Sequence, residues 1–392
     1  MPGLSPFKFV YTRAREPRVT TDNFSRRRFL QLSSIGIAGT LNFSLTGLTL
    51  YVGTYTSSTS EGIYVYRMDQ LSGQLKRLGS AKSENPSFLA IDPRKRFLYA
   101  VNETSTGAVS AFRINRQTFA LEFLNQQPSQ GADPCHLVVD DRGRSLLLAN
   151  YTGGNVAVLP IQRDGSLGPA SDVEQHEGSG PREQQKGPHA HCIKLDRFNR
   201  HAFAADLGSD KVMIYGFNAA TGTLEPAKQP FASLHQGAGP RHLTLHPNGK
   251  YLYVINELDS SITTFRYDPA KGMLTAFESI STLPRDFSGT SYCADVHVSR
   301  SGRFLYGSNR GHNSIVVFAI EPRSGRLTLV EHVSTGGNWP RNFTIDPSGR
   351  FLLVANQRSD NVVTFRIDSQ TGRLTPTGQI TEIPVPVCLQ FL

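Results

Sequence analysis

From residue 48 onward one short apolar run recurs at a nearly constant interval. It reads LYVGTY (50 to 55), LYAVNE (98 to 103), LLLANY (146 to 151), AFAADL (202 to 207), LYVINE (252 to 257), LYGSNR (305 to 310) and LLVANQ (352 to 357). The spacing between copies stays within 47 to 56 residues, which marks a repeat architecture. Within a copy the order of apolar and polar positions is also constant. In residues 239 to 274 it predicts strand A (RHLTLH), a Pro-Asn-Gly turn, strand B (YLYVIN), a polar loop, strand C (SITTFRYD), a Gly-containing turn and strand D from Leu274. Turn cues recur at Asp92-Pro93, Asp346 to Gly349, Ser72-Gly73, Thr221-Gly222, Ser324-Gly325 and Thr371-Gly372.

Four antiparallel strands repeated seven times predict an all-β, seven-bladed β-propeller over residues 48 to 392, one closed domain. The first unit starts at strand B near Leu48, and the last residues, Pro386 to Leu392, match the strand A starts at Pro86, Pro134, Pro240 and Pro340. The C-terminal strand is therefore expected to complete the N-terminal blade and remove the open sheet edges.

Composition agrees with turn-rich β structure, with 35 glycines and 23 prolines and only 19% of residues charged. The four cysteines, at 135, 192, 293 and 388, exclude a disulfide scaffold and show no zinc spacing. They fall at the start of strand A, as small packed side chains. The excess of 41 basic over 32 acidic side chains is concentrated in the first 28 residues, which hold seven basic and two acidic groups. The remainder has no basic stripe, so nucleic acid is not expected as a partner. Residues 1 to 47 form a basic leader in which Ser25 to Gln31, SRRRFLQ, precedes a weakly apolar stretch. It resembles a twin-arginine export signal, which implies the twin-arginine export machinery as a partner and a periplasmic or extracytoplasmic location; the alternative, a leader that is not an export signal, implies a cytoplasmic protein.

In such a blade the start of A, the end of B, the start of C and the end of D share one face. The second position of strand A is Ser87, Cys135, His191, Arg241, Ala294, Arg341 and Val387, and the sixth position of the apolar hexamer is Tyr55, Glu103, Tyr151, Leu207, Glu257, Arg310 and Gln357. Across the blades holding His191, Arg241 and Glu257, Arg310 and Arg341, cations and a carboxylate thus converge on one mouth. Two long D-to-A connections, residues 174 to 188 and 284 to 292, open on the same face. His189 and His191 share a strand face, but no third ligand sits at a metal spacing, so no metal or other cofactor is expected. Asp295 and His297 form a similar pair, read as a channel-lining hydrogen bond.

The segments GPHAHCIKLD (187 to 196), ADLGSDKV (205 to 212), GPRHLTLHPNGKYLYVINE (239 to 257), GSNRGHNSI (307 to 315) and NWPRNFTIDPSGRFLLVANQ (338 to 357) resemble the propeller lactonases, the family of bacterial 6-phosphogluconolactonases of the propeller type and the fungal carboxymuconate lactonizing enzyme. The resemblance runs from about residue 48 to the end. It implies a catalytic set of His191, Arg241, Glu257 and Arg310; beside that set, His189, Arg341, Asp206 and Asn309 are further candidate substrate contacts. The expected reaction is opening of a sugar lactone by a monomer, with His191 as base, Glu257 as helper and arginines holding the oxyanion. Two other readings stay open: intramolecular lactone formation, and a non-catalytic envelope propeller of YVTN-like repeats.

Overall fold

The computed structural model describes residues 47 to 392; the leader and its SRRRFLQ motif lie outside the described residues. The described chain forms seven four-stranded antiparallel sheets, the blades. Strand A lines the central channel and strand D faces outward. Strands A of blades 2 to 7 are Leu89–Ile91, Pro134–Val139, Ala190–Leu195, Pro240–Leu245, Tyr292–Val298 and Pro340–Ile345. Blade 1 has the order Pro386–Phe391, Leu48–Thr54, Gly62–Met68, Leu75–Lys82, so the C-terminal strand pairs with the first strand as the phase of the repeat requires.

The recurring hexamer is strand B. In blade 5, Tyr251–Asn256 is buried at every position, because neighbouring blades cover both faces of the sheet. That double burial explains why the run is continuously apolar instead of alternating. Each core joins two blades: Leu50, Val52 and Leu389 of blade 1 pack with Phe351, Leu353 and Val362 of blade 7. Outer strands lose this cover and alternate, as in Met273–Ser281.

The C-to-D turns stitch blades together. Tyr253 in strand B of blade 5 donates its hydroxyl to the Gly325 carbonyl in the blade 6 turn at 3.0 Å, and Tyr306 repeats the contact with Gly372 of blade 7 at 2.9 Å. Gly325 adopts φ +74°, and an added Cβ would sit 2.6 Å from the Tyr251 ring, so both backbone and packing select glycine there.

Candidate active site

A local irregularity aims the functional side chains. In six of the seven blades the A–B ladder slips near the second residue of strand A, between Ala190 and Cys192 in blade 4, Pro240 and His242 in blade 5, and Pro340 and Asn342 in blade 7. His191, Arg241 and Arg341 are the skipped residues. A β-bulge frees a residue from pairing and redirects it; here it turns three charged or titratable side chains toward the channel mouth. The residues that end strand B meet them there.

The result is a cavity of about 250 Å³ lined by His191, Glu257, Arg310 and Arg341 together with Tyr55, Glu103, Cys135 and Tyr151. Glu257 Oε2 lies 2.7 Å from both Arg241 Nε and Arg310 Nη2. Arg241 is almost completely buried beneath this carboxylate and donates from Nη1 to the Ala294 carbonyl. Arg310 donates to the Cys293 carbonyl at 2.9 Å. On the opposite wall Glu103 accepts from the Tyr55 hydroxyl at 2.7 Å and from Ser87, and Arg341 Nη2 stands 3.7 Å away. Beside the cavity, a narrow gap of about 10 Å³ shares Cys135 and Arg341 with it and adds Arg241 and His242. A larger open hollow of about 500 Å³ is lined by the A-to-B turn residues Arg142, Phe198 and Arg200 and the C-to-D turn residues Phe217 to Ala220; it lacks a convergent acid, base and cation set.

Burial dominates the titration behaviour. It opposes ionisation of Glu257, but Arg310, Arg241 and Arg341 outweigh it and hold the carboxyl below its ordinary value. Arg310 is pushed down to about 10 by burial and its fellow arginines, against the pull of Glu257. Arg341 goes the other way: burial disfavours its charge, yet Tyr55, Glu103 and Glu257 raise it. His191 is held well below its ordinary value by burial, then by Arg241, His242 and Arg341, so at neutral pH it is an uncharged imidazole. Cys135 is raised well above its ordinary value by burial and stays a thiol.

The structure brings His191, Glu257, Arg310 and Arg341 onto one cavity, with Arg241 directly behind Glu257. It places the other expected contacts elsewhere. His189 sets Nδ1 2.9 Å from the Tyr151 carbonyl and stacks on the Tyr151 ring, supporting a lining residue from outside. Asp206 is fully buried; it accepts from the backbone N–H of His189 and Ser209 at 3.0 Å and meets His176 Nδ1 at 2.6 Å. Asn309 donates to the Thr282 carbonyl and accepts from the Thr282 hydroxyl. Asn102, Asn150 and Asn356 at the same repeat position likewise reach a carbonyl just past strand D or in the loop that follows it. Asp206 and Asn309 are thus corrected from substrate contacts to latches that tie the D-to-A connection leaving one blade to strand B of the next. Tyr55, Glu103 and Tyr151 were not singled out, although each holds the same repeat position as Glu257.

The long connection before His189 is anchored. His176 pairs with Asp206, and Gln185 in the short 3₁₀ turn Glu183–Gln185 donates to the Leu207 carbonyl and to Asp210, both at 2.8 Å. All four cysteines are free and buried. Asp295 does bond His297, at 3.0 Å. Among the described residues no group of three His, Cys, Asp or Glu side chains is placed to hold a metal.

Comparison with known proteins agrees with this architecture. Residues 49–391 match the family model described as Lactonase, 7-bladed beta-propeller. The chain is 41% identical over 345 residues to a 6-phosphogluconolactonase of Bacillus subtilis, covering 87% of this chain and 97% of that protein. A 6-phosphogluconolactonase of Formosa agariphila is 36% identical over 308 residues, 76% of this chain and 86% of the relative. Among solved structures, the periplasmic gluconolactonase of Pseudomonas aeruginosa superposes with a TM-score of 0.85 at 36% identity, covering 88% of this chain and 99% of that one.

Proposed function

The chain belongs to the seven-bladed β-propeller lactonase family and is a lactonase, and from that premise we propose that it hydrolyses an unphosphorylated sugar lactone with His191 as the base. The observation that carries this reading is a neutral imidazole sharing a small cavity with Glu257, Arg310 and Arg341. His191 takes a proton from water, and the hydroxide attacks the ring carbonyl carbon. Arg310 and Arg341 donate to the oxyanion as it develops. The ring C–O bond then breaks, the departing alkoxide recovers the proton from His191, and an open-chain hydroxy acid leaves. Glu257 holds Arg310 in its donating orientation, and Arg241 acts through Glu257 from behind.

The charge balance favours a substrate without phosphate. Three guanidiniums face two carboxylates, Glu257 and Glu103, leaving one positive charge uncompensated. One uncompensated charge suits a transient oxyanion; a phosphate dianion demands more. The names of the B. subtilis and F. agariphila relatives support the phosphorylated substrate instead, and the P. aeruginosa neighbour supports the sugar lactone and a periplasmic site of action. Rates on glucono-δ-lactone and its 6-phosphate, followed by pH-stat, separate the two: a higher kcat/KM for the phosphate ester refutes the preference. Residues 25 to 31 further support export by the twin-arginine route. Replacing Arg26 and Arg27 by Lys should keep the full-length protein in the cytoplasm, and unchanged periplasmic recovery refutes that route.

A further inference from the structure

The hydrolysis just described leaves a second set of channel residues unused. His242, one position beyond Arg241, is buried and sets Nδ1 2.8 Å from Asp295 Oδ1. Asp295 Oδ2 meets His297 Nε2 at 3.0 Å and accepts from Asn342 Nδ2 at 2.6 Å, and the Val296 N–H donates to Oδ1 at 2.9 Å. The three partner side chains come from strands A of blades 5, 6 and 7. None of these donors is a lysine or arginine. Glu257, by contrast, is matched by Arg241 and Arg310, and Glu103 faces Arg341. Asp295 is therefore a buried carboxylate that histidines and an amide contact but no lysine or arginine pairs with.

That charge lies one ring away from the base. His242 stands edge-on to His191, with ring centroids 5.4 Å apart and planes at 68°. A proton arriving on His191 adds positive charge to a pocket that already holds an excess cation, and burial makes that costly unless a counter-charge is near. Resting on the reading of His191 as base, we propose that Asp295 and His242 are positioning residues that offset the transient imidazolium of His191: Asp295 accepts the His242 Nδ1–H, fixes its tautomer, and supplies the counter-charge through that ring. The proton itself stays on His191 until the alkoxide recovers it, so no group is consumed.

The surroundings of His242 fit this role. Facing it are Arg241 on its own strand, His191 and Lys194 from blade 4, His136 from blade 3 with ring centroids 5.4 Å apart, Phe88 beside blade 2, and Asp295 from blade 6. Burial and Arg241 push His242 down to about 4, with Asp295 opposing, so it is neutral at working pH. Burial disfavours the Asp295 carboxylate, but His297 and His242 outweigh it and hold it well below its ordinary value. The pair is thus a neutral imidazole on a carboxylate, the arrangement that orients and stabilises a catalytic histidine elsewhere in enzymology.

The test uses the full chain, glucono-δ-lactone as substrate, and kcat and KM measured against pH for Asp295→Asn and His242→Gln. Asp295→Asn should lower kcat about ten- to a hundred-fold with little change in KM, and move the acid limb of the profile to lower pH because the imidazolium has lost its counter-charge. His242→Gln keeps an N–H donor for Asp295 and should melt like the parent while losing kcat to a similar extent; it decides the matter if Asp295→Asn fails to fold. Unchanged kcat and an unmoved acid limb in both variants overturn the inference, as does an equal loss at every pH accompanied by a lower Tm. If His191→Ala abolishes turnover while both variants turn over normally, this inference alone fails; a parent that hydrolyses no lactone overturns it together with the reading of the site.

Discussion

Arg310 places a single nitrogen, Nη2, 2.7 Å from Glu257 Oε2 and 2.9 Å from the Cys293 carbonyl, so its guanidinium is held by a carboxylate and a backbone acceptor at once. A planar fork pinned along one edge is preorganised to donate from the other. Arg310→Ala should lower kcat/KM on the best lactone by about 10² to 10³, the usual cost of removing one oxyanion donor. Arg310→Lys restores the charge without the fork and should recover only part of that loss. Equal rates for parent and Arg310→Ala would place the oxyanion contact elsewhere.

Glu257 ties two guanidiniums, and its removal has a stability consequence. Glu257→Gln keeps the shape but leaves Arg241 and Arg310 without a carboxylate in a buried place. Breaking such a pair from one side costs about 3–5 kcal/mol. Urea unfolding should show a loss toward that range together with reduced turnover. A variant that unfolds like the parent yet is inactive would instead assign Glu257 a direct part in the chemistry.

The acid limb of kcat/KM reports the base. His191 is held below 6.5 by burial and by nearby arginines, so it remains the uncharged, proton-accepting form well into mildly acid solution. Activity should therefore be flat through pH 6.5 and fall only below it. His191→Ala should remove that limb and respond to added small bases. A limb at or above pH 6.5 in the parent points to another base.

Much of this arrangement was legible in the residues, and the gaps have physical causes. The hexamer spacing gave the blades because strand B is buried on both faces, and the orphan Pro386 to Leu392 segment gave the closure because a channel strand was missing at the start. The second position of strand A and the sixth of the hexamer did gather at one mouth; the bulge that aims His191, Arg241 and Arg341 leaves no mark in composition. At Asp206 and Asn309 a recurrent polar residue at a strand end looks like a substrate contact. Their side chains point into the blade, where the loop's backbone groups need partners. Glu103 and Tyr55 went unselected because nothing local distinguishes the copies of a repeat that line a cavity from those that do not. The low proton affinity of His191 depends on burial and on charges brought from two other blades, which no local pattern carries.

Three buried imidazoles set the acid stability. Burial lowers His136, His191 and His242, the last to about 4, whereas in the unfolded chain each protonates near 6.5. The sign follows: the unfolded chain takes up protons that the folded one refuses, so this stability is fully present above about pH 6.5 and drains as pH falls toward the folded values. Each histidine accounts for about 1.4 kcal/mol per pH unit in that window. Asp206, Asp295 and Glu257 are also lowered, so their contribution holds above their unfolded values and fades only near pH 4 and below. Urea unfolding at pH 7, 6 and 5 should show a steep loss between 6 and 5. A flat profile would refute the neutral histidine cluster.

Closure of the ring gives the sharpest test of the fold. Residues 386 to 391 form the channel strand of blade 1, pairing with Leu50 to Thr54, and Val387, Cys388, Leu389 and Phe391 are buried. Leu389 N–H donates to Asn342 of blade 7 at 2.8 Å, and Leu89 N–H of blade 2 reaches Cys388 Sγ at 3.3 Å, so the strand clasps both neighbouring blades. Burying such side chains contributes about 1.5–3 kcal/mol each. Their sum rivals the roughly 5–15 kcal/mol that holds a whole domain folded. Deleting Pro386 to Leu392 should therefore yield aggregates or a chain without a cooperative melt, because it also bares the edge of Leu48–Thr54. Leu389→Ala, which keeps the ladder and removes one knob, should cost about 2–5 kcal/mol and stay folded. Calorimetry on the two variants separates the effects: a deletion variant that melts like the parent would show that blade 1 closes without its channel strand.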